Sequence, residues 1–412
     1  MSNLRVLFLA GPGDAKSAFC SWASGEQLQT LTHVGYSHQF FEACAAVGAP
    51  MLALTTNAND AVAEHGEMRV ERIDDYLAGK AGLAYHAAHV PYAIALMKRA
   101  REFRANVVVL GGDPYPTLLL PLRGLGVRLV AAHHCVLWPA FRPRSRKMRW
   151  LHRIQRPFFR SYGDAVLSAS RAVSEQVREV AGGQSIPIAE FFPLFRKDLF
   201  EGVTPPAPSV RPFRVIFVGR AEASKGVFDL IEVAKLLRRA GRTDIVLDVC
   251  GAGAASATLE QAVASEGLED LVHLHGWCTA DQLRVLQEQS HAAIVPTRTE
   301  FVEGFNHAIV EALLGGRPVI TSKVCPAVDY VKSGICLVEA DNPTSYFEQV
   351  VTLADDPIVY AKLQSGAREA GETFLSDTHS YGRAVEHLLN AFARDVAPLP
   401  LTLPLASAPR QG

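Results

Sequence analysis

Short runs of consecutive apolar residues alternate along most of the chain with segments in which apolar residues recur every three or four positions. The apolar runs predict strands at residues 4–10, 50–55, 106–110, 127–132, 164–169, 214–218, 245–250, 271–274, 292–296, 318–321 and 335–338. The segments with helical spacing include 37–47, 171–181, 227–240, 280–289 and 306–314. Continuously apolar strands separated by amphipathic helices are typical of parallel sheets that helices cover on both faces. The pattern therefore predicts an α/β protein built from doubly wound, Rossmann-like sheets.

A proline-rich segment at residues 201–211 interrupts this alternation, and a new apolar run begins directly after it. A chain of 412 residues is also too long for one ordinary core. We therefore predict an amino-terminal domain at 1–203, a linker at 204–212, a carboxyl-terminal domain at 213–378, a helix at 379–395 and a tail at 396–412. The helix has no strand after it and is expected to cross back to the first domain. The tail, rich in Pro, Ala and Leu, is expected to be disordered.

The bulk composition excludes several classes of protein. The formal net charge is −1, so the chain as a whole offers no electrostatic attraction for nucleic acid. Seven cysteines occur without any Cys-x-x-Cys spacing, which predicts buried thiols in a reducing compartment. No apolar run approaches the roughly 18 residues that a membrane-spanning helix needs. We expect a cytoplasmic protein.

The turn after the run 214–218 combines features that suit a diphosphate. Gly219 and Arg220 end the strand, and Lys225 stands where the next helix opens. A helix amino terminus attracts anions, and two cations can neutralise a diphosphate. The alternative, at even odds, is that Arg220 and Lys225 are two solvated cations in a surface loop.

A second glycine turn follows the run 245–250. Gly251 and Gly253 form a Gly-x-Gly pattern, but the third glycine of a dinucleotide fingerprint is replaced by Ser256. The pattern is therefore weak as a nicotinamide or flavin site and typical of a tight turn at the carboxyl end of a parallel strand, where ligands bind.

Polar residues also follow two strands of the first predicted domain. His133 and His134 come after the run 127–132, where an imidazole could orient a sugar hydroxyl or transfer a proton. Asp113 follows the run 106–110 in the same way. The alternative for each is a structural side chain, and a lone histidine of this kind is more often structural.

Two glutamates, Glu303 and Glu311, stand eight positions apart and flank an apolar segment. If Glu303 lies at the start of a helix, both carboxylates share nearly one face and could reach different parts of an extended ligand. The backbone N–H groups of Gly304, Phe305 and Asn306 would then be free at the helix start, which favours bound negative charge.

In this order and spacing, the motifs Gly219-Arg220, Lys225-Gly226, Gly251-x-Gly253, Gly276 and Glu303-Gly304-Phe305 with Glu311 resemble the carboxyl half of the family 4 retaining glycosyltransferases, or glycosyl transferases group 1. The resemblance extends over roughly residues 214–375. In the first half it is looser and rests on the strand rhythm, the position of His133-His134 and the run 164–170. The resemblance implies the GT-B fold, in which two Rossmann-like domains face each other across a cleft.

The resemblance also implies roles for single residues in binding a nucleotide-diphosphate sugar. It assigns Arg220 and Lys225 to the diphosphate, the turns at Gly219, Gly251 and Gly253 to the same donor site, Glu311 to the ribose, Trp277 to the base pocket, and the backbone of Gly304, Phe305 and Asn306 to sugar and phosphate. Asn306 stands where the family commonly has glycine, which points to an altered sugar end of the site.

For catalysis, the resemblance places Glu303 beside the reacting carbon of the donor sugar. His133 or His134 would sit over that sugar, and the spacing fits His134 slightly better. Asp113 is the acceptor-side candidate. The sequence has no Asp-x-Asp motif, and cations with helix ends can replace a metal in stabilising a leaving diphosphate. We therefore expect an enzyme without metal or other cofactor.

A basic stretch at residues 142–160 contains no acid. Its cations are Arg142, Arg144, Arg146, Lys147, Arg149, Arg153, Arg156 and Arg160, and Trp150, Leu151, Ile154 and Phe158 occupy another side of the predicted helix. Such a helix is typical of one that lies on an anionic membrane or receives a phosphate-bearing lipid acceptor. The alternative, equally weighted, is a helix whose apolar face packs on its own sheet.

The sequence thus favours a glycosyltransferase that moves a sugar from a nucleotide-diphosphate sugar to a hydroxyl of a glycan, a lipid-linked glycan or a small molecule, with retention at the anomeric carbon. It would be cytoplasmic and peripheral at the inner face of the membrane. The alternatives are a non-catalytic nucleotide-sugar-binding protein, or another GT-B enzyme such as an epimerase or a phosphorylase. A phosphorylase would need a lysine for pyridoxal phosphate, and neither Lys225 nor Lys323 has a suitable context.

Overall fold

The computed structural model describes residues 3–11, 13–26, 32–57, 62–112 and 115–406. Contacts divide the chain into two compact units. Unit 1 comprises Met1–Leu137, Arg144–Leu194 and Asp377–Leu403, and unit 2 comprises Trp138–Pro143, Phe195–Ser376 and Pro404–Gly412.

Strands and helices alternate in both units. The strands are β1 (Val6–Leu9), β2 (Met51–Thr55), β3 (Ala63–His65), β4 (Met68–Arg72), β5 (Val107–Leu110), β6 (Arg128–His133), β7 (Ala165–Ser168), β8 (Ile188–Glu190), β9 (Phe213–Val218), β10 (Ile245–Cys250), β11 (Val272–Gly276), β12 (Ala292–Val295), β13 (Val319–Thr321) and β14 (Ile335–Leu337). The α-helices are α1 (Ala15–Ala23), α2 (Tyr36–Val47), α3 (Gly82–Phe103), α4 (Arg146–Pro157), α5 (Arg171–Ala181), α6 (Val227–Arg239), α7 (Ser256–Ser265), α8 (Ala280–Gln289), α9 (His307–Leu314), α10 (Pro343–Asp355), α11 (Pro357–Glu372) and α12 (Tyr381–Ala393). The longest 3₁₀ segment is Pro116–Leu125, and a π-helical turn, Phe158–Tyr162, follows α4.

The sheet of unit 1 has the strand order β3-β4-β2-β1-β5-β6-β7-β8. All its neighbouring strands are parallel except β3, which is antiparallel to β4. The central strand β1 is fully buried because every one of its residues is apolar and both faces of the sheet are covered. On one face α2 and α12 pack together over a core that includes Phe8, Phe40 and Leu388.

The sheet of unit 2 is parallel throughout, with the order β11-β10-β9-β12-β13-β14. Helices α6, α7 and α10 contribute apolar side chains to its core. Because β9, β10 and β12 are parallel neighbours, the loops that follow them meet at one edge of this sheet. These loops contain most of the residues that the sequence singles out.

The predicted fold class is confirmed, since both sheets are built from the predicted alternation of buried parallel strands and helices. Each predicted strand is present with ends that agree to within about two residues. The sequence analysis missed β3, β4 and β8. Both β3 and β4 carry charged residues at the margin of the sheet, and β8 has only three residues, so none forms a long apolar run.

The division between the units falls between Leu194 and Phe195 rather than at residue 203. The segment that follows is hydrogen-bonded to unit 2: Phe195 N donates to Phe374 O at 2.9 Å, and the Arg284 guanidinium donates to the carbonyl of Leu199 at 3.1 Å. The proline-rich stretch therefore continues a segment that is already packed on unit 2.

The carboxyl-terminal region differs from the expected disordered tail. Helix α12 belongs to unit 1, and the chain after it adds to the edge of that sheet. Leu401 N donates to Ile188 O at 3.1 Å, and Leu403 N donates to the Glu190 carboxylate at 3.0 Å. The predicted disorder is therefore wrong for residues up to 403, because backbone donors of the tail are satisfied by β8. Residues 407–412 lie outside the described residues.

Candidate functional site

The turns after β9 and β10 approach each other so closely that only glycine fits. A Cβ on Gly251 would lie 1.7 Å from the carbonyl oxygen of Gly219, and a Cβ on Gly253 would lie 2.5 Å from that of Ala221. Gly251 also has a φ of 140°, which side chains rarely adopt. The predicted glycines thus hold two backbone turns together at the carboxyl edge of the sheet.

A third close contact brings the loop after β12 to the same place. Gly226 has a φ of 79°, and a Cβ there would lie 2.1 Å from the carbonyl oxygen of Pro296. Lys225, one residue earlier, reaches Glu303, whose Oε2 lies 2.7 Å from the Lys225 Nζ. The ammonium group also lies 3.9 Å from the ring centre of Phe301, within range of a cation–π interaction. Two residues 78 positions apart therefore form one charged pair.

Arg220 lies nearby but is more exposed. Its guanidinium pairs with Glu222 at 2.7 Å and lies 5.8 Å from the ring centre of Phe301. Its ion-pair partner Glu222 lies on the same turn and the side chain is exposed, so the guanidinium can reorient toward an incoming anion at little cost. Phe301, which the sequence analysis did not identify, thus lies beside both predicted diphosphate ligands.

Glu303 does not lie on a helix, so the condition under which it would share a helix face with Glu311 is not met. It occupies an extended loop, and α9 begins at His307. Only Glu311 is helical, and it is buried on α9. The expectation that both carboxylates share one helix face is therefore wrong, because the loop turns at Asn306, where φ is 87°.

The expected free amides are present at this turn. Within the described ranges of the chain, the N–H groups of Gly304 and Asn306 have no protein acceptor. The amino terminus of α9 also lacks a side-chain cap, so its positive end remains available to a ligand. Phe305 instead supplies packing, since its ring stacks 5.8 Å from Tyr330 and meets Phe374 edge-on.

The Asn306 side chain contributes a contact that sequence reasoning missed. Its Nδ2 donates to Glu303 Oε2 at 2.9 Å and lies 3.4 Å from Thr297 Oγ1. Asparagine tolerates a positive φ better than most side chains, which fits its place at this turn. That replacement was the available signal, but the sequence could not show that the new amide would face Glu303.

Trp277 follows Gly276, whose φ is 64°, and its ring is exposed. A cavity of about 290 Å³ is lined by its sequence neighbours His275 and Cys278, together with Gln282, Val285 and Leu286. The assignment of Trp277 to a base pocket therefore stays a prediction.

In unit 1, His133 and His134 lie on opposite sides of the sheet. His134 packs among aromatic rings, with the ring centres of Tyr36 and Tyr381 at 4.3 and 5.3 Å, whereas His133 faces Phe159 at 5.6 Å. Burial lowers the pKa of His134 to about 4, so its imidazole is neutral near pH 7. Its Nδ1 has no hydrogen-bond partner among the residues that the structure describes. Asp113 lies outside the described residues.

The basic stretch is divided by the structure. Helix α4 begins at Arg146; Arg142 belongs to unit 2, where it lies 3.4 Å from the carboxylates of Glu300 and Asp341. Arg144 pairs with Glu179, and Arg156 donates to the carbonyl of Ala181. Three of the eight predicted cations are therefore satisfied by protein groups.

The rest of the stretch faces outward. Arg146, Lys147, Arg149, Arg153 and Arg160 are exposed and have no partner within the described part of the chain. Trp150 is 62% exposed and Ile154 is also exposed, whereas Phe158 is buried. The predicted apolar face is thus divided, since Phe158 is buried and Leu151 is half-buried, whereas Trp150 and Ile154 are exposed.

Two further observations bear on cofactors and cysteines. Across the described ranges, no group of three or more His, Cys, Asp or Glu side chains is placed to hold a metal ion. None of the seven cysteines forms a disulfide, but Cys20 and Cys135 are exposed, so the expectation that the thiols are buried is wrong for these two.

The chain is similar to glycosyltransferases in sequence. Residues 206–370 match the family Glycosyl transferases group 1. The chain is 27% identical over 279 residues to the GDP-mannose:cellobiosyl-diphosphopolyprenol alpha-mannosyltransferase of Xanthomonas oryzae pv. oryzae, which covers 65% of this chain and 69% of that protein. Its alignments with the first three curated relatives, glycosyltransferases by name, span 28%, 39% and 44% of their lengths.

Solved structures share the fold. Sucrose-phosphate synthase from Thermosynechococcus elongatus matches with a TM-score of 0.69 at 18% identity, covering 95% of this chain and 98% of that one. HepE of Anabaena, solved in complex with UDP, matches with a TM-score of 0.63 at 15% identity, covering 95% and 100% of the two chains. At such low identity these likenesses show the fold alone.

Proposed function

We propose, from the match of residues 206–370 to the group 1 glycosyl transferases, that this chain is a retaining glycosyltransferase of family 4 that uses a nucleotide-diphosphate sugar. The observation that carries the proposal is the pairing of Lys225 with Glu303 at the carboxyl edge of the unit 2 sheet. A cation, a buried carboxylate and free backbone amides occur together there, as a charged donor with a hydroxyl-bearing sugar requires.

The leaving diphosphate is stabilised by positive charge that is gathered when the donor binds, since Lys225 starts out paired with Glu303 and Arg220 with Glu222. Lys225, Arg220 and the free N–H groups at the start of α9 supply hydrogen bonds to its oxygens. Groups that are positioned before the reaction need no reorganisation when charge develops on the leaving group. This arrangement supports transfer without a metal. The proposed mechanism is a front-face displacement with retention, as the resemblance to family 4 implies.

Glu303 orients the donor sugar. Both of its contacts fall on Oε2, and Oε1 has no partner within the part of the chain that the structure describes. Oε1 can therefore accept a hydrogen bond from a sugar hydroxyl while Lys225 is shared between Oε2 and a phosphate oxygen. Glu311, buried on α9, is assigned to the ribose hydroxyls.

The acceptor is proposed to be a hydroxyl on a glycan or lipid-linked glycan, reached at an anionic membrane surface. The relative from Xanthomonas is named for a diphosphopolyprenol-linked acceptor, and the five exposed cations of α4 and its π-helical turn support the same class here. Tryptophan beside cations is typical of segments that lie at a membrane interface, and Trp150 stands among these arginines.

Helix α3 supports the membrane proposal. Leu83, Val90 and Ile94 recur at helical spacing on one side of α3, and all three are exposed, Leu83 by 85%. The 3₁₀ segment Pro116–Leu125 packs against both α3 and α4. Unit 1 therefore presents apolar and basic side chains on neighbouring elements. Among the described residues, no helix is both long and apolar enough to cross a bilayer.

The proposal is tested by measuring release of nucleoside diphosphate from UDP-, GDP- and ADP-sugars, with Glu303→Ala as the inactive control. We expect release with at least one donor, and expect it to persist when divalent metals are chelated. Donor binding without release, with or without membrane extracts as an acceptor source, would instead favour a non-catalytic binding protein.

A further inference from the structure

Asn306 is buried at the turn that joins the loop of Glu303 to α9. Its side chain is only 8% exposed, and its backbone adopts a φ of 87°. The orientation of its amide is set by chemistry, because the Glu303 carboxylate only accepts hydrogen bonds and must therefore face Nδ2. The 2.9 Å contact between Nδ2 and Glu303 Oε2 follows from this.

The same orientation leaves the amide oxygen of Asn306 unused. Within the described ranges of the chain, Oδ1 is buried and has no hydrogen-bond partner. A buried carbonyl oxygen without a donor is unfavourable, so a ligand that supplies a hydroxyl there is favoured. Glu303 Oε1 is also without a partner among the described residues. The two side chains are joined through Nδ2 and Oε2, so each offers one acceptor to a ligand.

We infer that Asn306 selects the donor sugar: its Oδ1 accepts a hydrogen bond from one hydroxyl of that sugar, while its Nδ2 positions the Glu303 carboxylate for another. This inference rests on the proposed function, which supplies the sugar. Glycine at this position could do neither, because it has no side chain. The substitution therefore gives this chain a contact that a glycine-containing site would lack.

The contact geometry also predicts which replacements fail. Asn306→Gly keeps the backbone conformation without strain. It removes the hydrogen bond to Glu303 and the one proposed to the sugar. Asn306→Asp has the same shape but places a second carboxylate against Glu303, and two like charges in a buried site repel each other. The glycine variant should therefore fold normally, which makes it the more informative of the two.

The test compares wild type with Asn306→Gly on a nucleotide sugar that the wild type uses and on the analogues of that donor in which single sugar hydroxyls are replaced by hydrogen. We expect the variant to lose roughly 10-fold or more in kcat on the full donor, because Glu303 is less well positioned. Affinity for the nucleoside diphosphate alone, measured by calorimetry, should be unchanged.

With wild type, removing one particular hydroxyl from the donor should lower kcat. In Asn306→Gly the same removal should have no effect, because the acceptor of that hydroxyl is already absent. If every analogue lowers kcat by the same factor in wild type and in the variant, the assignment of Oδ1 is overturned. An unchanged kcat on the full donor would overturn the positioning role. If wild type neither binds nor turns over any nucleotide sugar, the proposed function fails and the inference fails with it.

Discussion

The pairing of Lys225 with Glu303 means that neither side chain can bind a ligand independently of the other. The sequence suggested that Lys225 binds the diphosphate and Glu303 the sugar, as two ends of one site. With 2.7 Å between them, the ammonium group is already engaged before a donor binds. In the proposed donor complex, a phosphate must therefore share Lys225 with Glu303. Recognition of the diphosphate would then be coupled to the position of the Glu303 carboxylate.

The two glutamates should separate nucleotide binding from transfer. Glu303→Ala removes the carboxylate that competes for Lys225, so nucleoside diphosphate should bind as tightly as in wild type, or more tightly, while transfer is suppressed by about 100-fold or more. Glu311→Ala should weaken nucleotide binding by roughly 10-fold, the effect of one lost hydrogen-bonding group. Calorimetry with UDP, GDP and ADP and release assays on both variants measure this. Loss of nucleotide binding in Glu303→Ala, with transfer kept at saturation, would show that the donor binds in the reverse orientation.

At the scale of elements, glycine contacts hold the loops of the site in register. Gly226 at the start of α6 lies directly against the carbonyl that follows β12, so the position of Lys225 depends on how closely these elements approach. A strand end and a helix start can be recognised in sequence, but their separation in space cannot.

Gly226→Ala should therefore both destabilise the fold and disturb the site. Its Cβ would meet the Pro296 carbonyl, and relief of that clash must move Lys225 away from Glu303. Gly241→Ala is the matched control, because φ is 68° but the Cβ would meet nothing within 4 Å. We expect the control to lower the free energy of unfolding, measured by urea denaturation, by about 1 kcal/mol. Gly226→Ala should lower it by roughly a further 1–3 kcal/mol. Equal losses would show that the approach of these elements is looser than the structure indicates.

A buried histidine at the start of β12 makes stability depend on pH. His291 Nδ1 accepts a hydrogen bond from Arg214 N at 3.0 Å, and burial lowers the pKa of the ring to about 4. The unfolded chain, with a histidine pKa near 6.5, therefore binds the proton more readily than the folded chain between pH 6.5 and 4. Stability should be fully present above this range and fall as the pH drops through it.

The variant His291→Asn should flatten that dependence, because its amide oxygen can accept the Arg214 N–H without titrating. The free energy of unfolding, measured in urea at several pH values between 7 and 4.5, should fall less steeply for the variant than for wild type. His379→Asn, which changes an exposed ring, is the control. Identical slopes for wild type and His291→Asn would show that His291 does not titrate in this range.

At the scale of the whole molecule, charge is distributed unevenly although the formal net charge is only −1. Five cations that have no acidic partner among the described residues lie on α4 and the turn after it, next to exposed apolar residues of unit 1. Each basic side chain near an anionic surface contributes about 1 kcal/mol, so a cluster can hold a protein with no net charge at a membrane.

Charge reversal on α4 tests this location. We expect the wild-type chain to sediment with vesicles that contain phosphatidylglycerol at low salt, and not with neutral phosphatidylcholine vesicles. Arg149→Glu with Arg153→Glu should reduce sedimentation by roughly 10-fold or more, since four units of charge are lost. Arg239→Glu with Lys362→Glu changes the charge equally on exposed helix surfaces of unit 2 and should bind as wild type does. If both double variants bind alike, α4 is not the membrane-binding surface.

The sequence by itself determined the α/β class and the existence of a charged, glycine-rich site, because buried parallel strands and tight turns leave local patterns. The resemblance to group 1 glycosyltransferases predicted that Lys225 and Glu303 belong to one site, and the structure brings these two residues together. The role of Glu311 stays a prediction. Only the tertiary structure decided that Glu303 precedes its helix, that Lys225 pairs with it and that the Asn306 amide holds it. These contacts join residues far apart in the chain or depend on one backbone turn, and no local pattern of hydrophobicity or spacing encodes such distances.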